Sequence, residues 1–188
     1  MLCDTRPMRI GLISDTHLED PADDLDPSVG RAFAGVDLIL HLGDIYATFV
    51  LDRLEAIAPV IGIRAYPDPE DPRLLRQRVE TLDGLRVAMI HNLGFPETDI
   101  DVDRDLTFPA GRSVEAVLTK RFGEPVAVVV FGDTHEEIAA EREGVLLVNP
   151  GSPTYPGIRH PLGSLGTVAI LELSGGRASA EIVRLVDV

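Results

Sequence analysis

The apolar run Ile10-Gly11-Leu12-Ile13 stops abruptly at Ser14-Asp15-Thr16-His17. A short apolar run bounded by polar turn formers reads as a buried strand. Asp15 and His17 stand two apart, so on extended backbone their side chains point to the same side. A carboxylate and an imidazole at a strand's carboxyl end are a ready pair of metal ligands. Asp and Thr are also ordinary turn residues, so the pair alone says little. Repetition is what constrains the fold. Later apolar runs stop in the same way, at Asp44, at Tyr66 and Asp68, at His91, and at Asp133 and His135.

Taken in order, Met8 to Ser14 is the first strand. Glu19 to Pro27 reads as an exposed acidic loop, and Ser28 as the cap of a short helix through Ala34. Val36 to His41 is a second strand, ending at Leu42-Gly43-Asp44. Tyr46 to Ile57 has apolar residues at helical spacing, stopped by Ala58-Pro59. Val60 to Ile63 is a third strand, and Pro67 to Pro72 a loop. Arg78 to Leu82 and Leu85 to His91 form a hairpin across Asp83-Gly84. Phe95 to Gly111 is acidic and irregular. Ser113 to Phe122 is a helix that Gly123 ends. Val126 to Phe131 is the most apolar strand, followed by Gly132-Asp133-Thr134-His135. Glu137 to Glu141 and Val145 to Val148 pair across Glu143-Gly144. Asn149-Pro150-Gly151-Ser152 opens a loop to Gly163, and Thr167 to Leu173 and Ala178 to Val186 make the last hairpin. The alternating first part predicts parallel strands and the hairpin-rich later part antiparallel ones. A mixed α/β sandwich of two packed sheets with helices outside accommodates both, as one domain over residues 1–188.

The 188 residues suffice for one domain with a substantial core. A net charge of −14 repels polyanions, which argues against stable nucleic-acid binding. A small anionic substrate would need a local positive centre such as a metal ion. The single Cys3 cannot form an internal disulfide, which fits a reducing compartment. Met1 to Pro7 does not read as a signal peptide, and no apolar run approaches the ~18 residues of a membrane span. The expectation is a cytoplasmic protein without a membrane segment; a homo-oligomer is compatible with it.

Open α/β sheets place ligands at the carboxyl ends of their strands. The strand ends here offer carboxylates and imidazoles and no thiolate, a set suited to Mn, Fe, Zn or Mg. Gly43 and Gly132 precede Asp44 and Asp133, where a missing Cβ lets backbone approach closely. Simpler roles stand beside these. Asp15 and Asp44 could be turn residues, and His17 and His135 hydrogen-bonded structural histidines. His41 reads as structural or supporting. Asp68 sits in an acidic loop that reads as solvated. Asn149 to Ser152 reads as a turn supporting the site. Arg159 and His160 could meet a substrate phosphate, with a surface role the simpler reading. The acidic stretch Glu97 to Asp105 could bind a cation or simply be solvated.

In this order and spacing, Asp-x-His, Gly-Asp, a third strand end, a lone His, and Gly-x-Thr-His followed by Asn-Pro-Gly-Ser resemble the calcineurin-like metallophosphoesterases. The small YfcE-type phosphodiesterases are the nearest branch, and the likeness runs from about Met8 to Val186. It implies a four-layer α/β/β/α sandwich and two divalent ions, Mn foremost, with Fe, Zn or Mg as alternatives. One ion would take Asp15, His17, a bridging Asp44 and His135. The other would take Asp44, an Asn from a Gly-Asn-x-Asp motif, His91 and the first His of Gly-His-x-His. Asp44 and His91 would be the residues central to catalysis. The implied reaction is hydrolysis of a phosphodiester or small phosphate ester by a metal-bound hydroxide, with ions about 3.5–4 Å apart clamping the phosphate.

The chain departs from this pattern around the second ion. Tyr66 stands where the Asn is expected, Asp133 where the first His is, and His91-Asn92-Leu93 replaces His-Gly-His. Asp133 remains a ligand candidate, since carboxylate suits hard cations. Tyr66 could coordinate as phenolate or fill space. Tyr66, Asn92 and Asn149 are candidates for supporting or substrate contacts. The second ion is expected to be weakly held or absent. Because the family includes a retromer scaffold subunit with a degraded site, a non-catalytic scaffold or binding protein is the rival function.

Overall fold

The computed structural model describes residues 6–94, 99–102 and 106–188. Cys3 lies outside them, as do residues 97–98 and 103–105 of the acidic stretch. Strands β1 (Met8–Ile13), β2 (Leu38–His41), β3 (Val60–Ile63) and β4 (Leu74–Leu75) pair parallel in that order. The last hairpin, β10 (Thr167–Ser174) and β11 (Arg177–Arg184), extends this sheet antiparallel from β1, with Met8 opposite Leu173. The second sheet is ordered β5 (Gln77–Leu82), β6 (Leu85–Ile90), β7 (Val128–Val130), β9 (Val145–Asn149), β8 (Ile138–Arg142). Its middle strands β6, β7 and β9 run parallel, although each outer pair is a hairpin. The later half of the chain is thus less antiparallel than its hairpins suggest, because β9 joins β7 as well as its own partner.

Side-chain alternation sorts these strands into layers. Ile10, Leu12, Leu40 and Leu42 face Val87, Met89, Val128 and Val130 between the two sheets. Ile13 and Ile39 face the other way, onto Val29 and Phe33 around α1 (Pro27–Ala32) and Val50, Leu51 and Leu54 of α2 (Phe49–Glu55). Val129 and Phe131 pack against Val117, Leu118 and Phe122 of α3 (Val114–Phe122). The order is helices, sheet, sheet, helix: the expected α/β/β/α sandwich.

Most predicted elements form, with shifted ends. Asp26, not Ser28, caps α1: its carboxylate accepts both the N–H and the O–H of Ser28, and Pro27 fits the first helical turn. Helix α2 starts at Phe49 rather than Tyr46, because Tyr46 is left-handed, at φ 66°. Helix α3 begins at its Ser113 cap and ends at left-handed Gly123, as its sequence predicts. Asp83-Gly84 and Glu143-Gly144 have both residues at positive φ, the turn that matches strand twist. Strand β4 is only two residues long and has no legible pattern. Among the described residues no helix is long and apolar enough to cross a membrane.

Candidate metal centre

The carboxyl ends of the parallel strands of both sheets meet at one rim, and close backbone approach joins them. The Gly132 N–H donates to the His91 carbonyl, and Asp15 N–H donates to Gly43 O, both at 2.9 Å. A Cβ at Gly132 would lie 2.0 Å from Ser14 Oγ and 2.9 Å from Asp15 Oδ2. One at Gly43, whose φ is +100°, would lie 2.7 Å from His91 Nδ1. Neither position has room for a side chain.

Asp15, His17, Asp44, Asp133 and His135 all have positive φ, between 47° and 75°. The sequence places Asp15 and His17 on extended backbone; instead, alternate left-handed residues turn them to the rim. Left-handed non-glycine residues cost roughly 1–3 kcal/mol each, and they collect where surrounding bonds over-determine them. Those bonds are present. The Asp133 N–H faces both Asp15 carboxylate oxygens at 3.2 Å. Ser152 donates to Asp15 O at 2.7 Å, and Thr154 to Thr16 O at 2.7 Å. Buried Asn149 donates to Gly132 O and Thr134 Oγ1, and its own oxygen accepts from Gly151 N–H. Asn149 therefore braces the turn that carries Asp133 and His135.

Among the described residues, two groups of side chains could each hold an ion: Asp15, His17 and His135; and Asp15, Asp44 and His91. Asp15 is common to both. Asp44 lies between them, with Oδ2 at 3.5 Å from His17 Nε2 and 3.7 Å from His91 Nε2. Asp133 Oδ1 approaches His91 Nε2 to 3.5 Å, and Asn92 holds the other Asp133 oxygen at 2.7 Å. His91 Nδ1 faces the Leu42 carbonyl at 2.8 Å and His135 Nδ1 the Tyr155 carbonyl at 2.6 Å. Each Nδ1 must then carry the proton and donate it, which leaves Nε2 aimed at the carboxylates. Metal-binding histidines are usually held this way. His17 Nε2 and His135 Nε2 stand 3.2 Å apart, a contact that a proton or a cation between them would relieve. Carboxylates and Nε2 atoms so arranged fit divalent Mn, Fe, Zn or Mg.

The electrostatics show the same demand for a cation. Burial pushes the Asp15 carboxyl up to about 6, against the opposing pull of His91. Burial would lower His91, but Asp133, Asp15 and Asp44 overcome it and raise the imidazole to about 9. The proton on His91 thus supplies the positive charge that the carboxylates require. Asp133 is held below the ordinary carboxylate range by His91 despite its partial burial. Burial lowers His17. His41, fully buried, is pushed down to about 3 and stays neutral. The Gly43 N–H donates to its Nδ1, so its Nε2–H faces Thr16 Oγ1 at 3.2 Å, making it a brace behind the site.

Two residues do not stand as the sequence suggests. Tyr66 is 94% exposed, so it neither fills space at the centre nor coordinates there. Asp68 is buried rather than solvated: its carboxylate accepts from the N–H groups of Asp44, Ile45, Tyr46 and Ala65, at 2.7 to 3.0 Å. It clamps the turn that presents Asp44, which is why α2 starts late. Arg159 is engaged by Glu136 and the Glu137 carbonyl, and His160 by the Glu137 carboxylate at 2.9 Å. Sequence reasoning missed Tyr46 and Tyr155, whose rings pack on His17 with centroids 4.7 and 5.4 Å away. Their positions just after Asp44 and Ser152 are the only signal for them.

The profile of the calcineurin-like phosphoesterase superfamily domain matches residues 8–176. A probable metallophosphoesterase of Methanothermobacter thermautotrophicus is 34% identical over 181 residues, covering 94% of this chain and 92% of the relative. In fold, the chain resembles vacuolar protein sorting 29 of Cryptosporidium parvum, with a TM-score of 0.66 at 16% identity over 95% of this chain and 97% of that one. It also resembles a novel archaeal phosphodiesterase, with a TM-score of 0.62 at 21% identity over 94% and 100%. With the profile spanning most of its length and a relative this similar, the chain belongs to the calcineurin-like phosphoesterase superfamily.

Proposed function

We propose that this protein is a metal-dependent phosphoesterase that hydrolyses a phosphodiester or another small phosphate ester. The observation that supports it is the sharing of Asp15 between two overlapping ligand groups at one rim. Asp15, His17 and His135 would hold one ion, and Asp15, Asp44 and His91, with Asp133 beside them, the other. Bound ions would supply the Lewis-acid charge that activates water and neutralises phosphate oxygens. The chain's residues supply the positioning. Asp15 is held by the Asp133 N–H, Asp44 by the Asp68 clamp, and His91 and His135 by their Nδ1–H bonds to carbonyls. Mn is the foremost ion, and its weaker position is the one beside Asp133. A surface of net charge −14 favours small esters over long nucleic acids.

The protein, stripped by chelator and reloaded with Mn, Mg, Zn or Fe, should hydrolyse phosphodiesters or phosphomonoesters only when loaded. Asp44→Asn should lose turnover and the ion held with His91. Robust turnover in excess chelator, or full ion content in Asp44→Asn, would sink the reading.

One observation favours a non-catalytic scaffold instead. The end of β3 offers no ligand, with Tyr66 exposed and both Asp68 oxygens used by backbone. Elemental analysis separates the cases: two ions or one per chain support the enzyme, and none supports the scaffold.

A further inference from the structure

A cleft of about 990 Å³ opens beside the metal centre, with Asp133 and His135 on one side and the loop that follows Thr154 on the other. Its size is at the upper end for small-molecule sites. Ile158 and Leu162 are fully exposed and Tyr155 is more than half exposed, all three on this loop and lining this cleft. Singly exposed apolar side chains are ordinary, but several around one concavity mark a binding surface. The loop is also held in shape. Gly157 N–H donates to His135 O at 3.1 Å and Gly166 N–H to Pro153 O at 3.2 Å. A Cβ at Gly157 would strike the Glu136 carboxyl, 2.4 Å away.

Charge narrows the occupant. Among the described residues no Lys or Arg lines the cleft. The nearby Arg159 is committed to Glu136 and the Glu137 carbonyl, and His160 to Glu137. A second phosphate or carboxylate would therefore meet no counter-charge there. Tyr155 joins cleft to centre: its carbonyl accepts the His135 Nδ1–H and its ring edge packs on His17. A group lying on Tyr155 is thus next to the candidate ligands.

Resting on the phosphoesterase reading, we propose that the cleft takes an uncharged, apolar alcohol portion of the ester, aryl or alkyl, while its phosphate lies at the metal centre. Tyr155, Ile158 and Leu162 determine this specificity. The substrate class is a phosphate ester with one apolar substituent and no second anionic group.

Equilibrium binding of phenylphosphonate and methylphosphonate to the Mn-loaded full chain tests this without turnover. Phenylphosphonate should bind at least tenfold tighter than methylphosphonate. The double variant Ile158→Glu with Leu162→Glu should erase that preference. Both side chains are exposed, so the fold is not at stake; Ile158→Ala with Leu162→Ala should reduce the preference without adding charge. Equal affinities in the native protein, or a preference that survives the Glu pair, would overturn the proposal. So would a dimer in sedimentation that the Glu pair dissolves, without any aryl preference, since a second copy would then own the cleft. Aryl preference without turnover on any phosphate ester would defeat the phosphoesterase reading alone. Turnover without aryl preference would defeat this proposal alone, and no phosphonate binding at all would defeat both.

Discussion

At Asp68 one buried carboxylate accepts four backbone N–H groups, two on each oxygen. Asp68→Asn keeps the shape but turns an NH2 towards two of those donors. An unsatisfied buried donor costs about 1–3 kcal/mol, so the variant should lose about 2–4 kcal/mol in denaturant unfolding. Because the clamp presents Asp44, ion affinity should fall with it; unchanged stability would show that the turn holds itself. Asp133 makes a different prediction. It sets a third carboxylate beside His91, which favours Mn or Mg over Zn. Asp133→His should move the preference towards Zn in competition titration, with Zn-over-Mn selectivity rising about tenfold or more. Unaltered selectivity would remove Asp133 from the ion's surroundings.

Two elements separate a purely local stop from a segment that supports the site. Gly123 ends α3 in a left-handed conformation, and a Cβ there would meet nothing within 4 Å. Gly123→Ala should therefore cost only the backbone penalty, about 1 kcal/mol, with ion binding untouched. The Asn149–Tyr155 segment is the opposite case, because Ser152 and Thr154 donate to the carbonyls of Asp15 and Thr16. Ser152→Ala with Thr154→Val removes those donors without adding bulk. Ion affinity by calorimetry should fall at least tenfold while far-ultraviolet dichroism stays native. Native affinity in that variant would mean that Asp15 is positioned from its own strand alone.

Across the whole molecule the rim behaves as one electrostatic unit with a defined pH response. His91 is raised from about 6.5 to about 9, so its contribution to the metal-free fold is complete below pH 6.5 and lost as pH rises through 9. Asp15 is raised from 3.8 to about 6, so burying it is least costly below pH 4 and stability falls as pH rises through 6. Both act in the same direction. The melting temperature of the metal-free protein should decline between pH 4 and 9.5, by on the order of 5 °C over the His91 step alone. Ion affinity should climb through that step, because the ion must displace the His91 proton. A melting temperature that rises from pH 7 to 9.5 without metal would contradict the His91 environment described above.

All the strands but β4, the hairpin turns and the polar residues ending each site strand were determined by the sequence itself. Those features are written in local signals: apolar runs, Asp-Gly and Glu-Gly pairs, and Gly before Asp44 and Asp133. The ends of α1 and α3 were legible to within two residues, since their caps depend on neighbours in the chain, whereas α2 starts three residues late because of the Asp68 clamp. Only the tertiary structure decided what the strand ends do together. Which carboxylate both ligand groups share depends on side-chain reach across a rim where residues 118 apart in sequence touch. That Tyr66 faces solvent while Tyr46 and Tyr155 flank His17 depends on how separate segments pack, with His17 and Tyr46 both left-handed, which no periodicity reports. Asp68 looked like one acid among several in a proline-rich loop. It is buried because four N–H groups of two separate segments converge on it, and convergence across segments is a property of the folded chain alone.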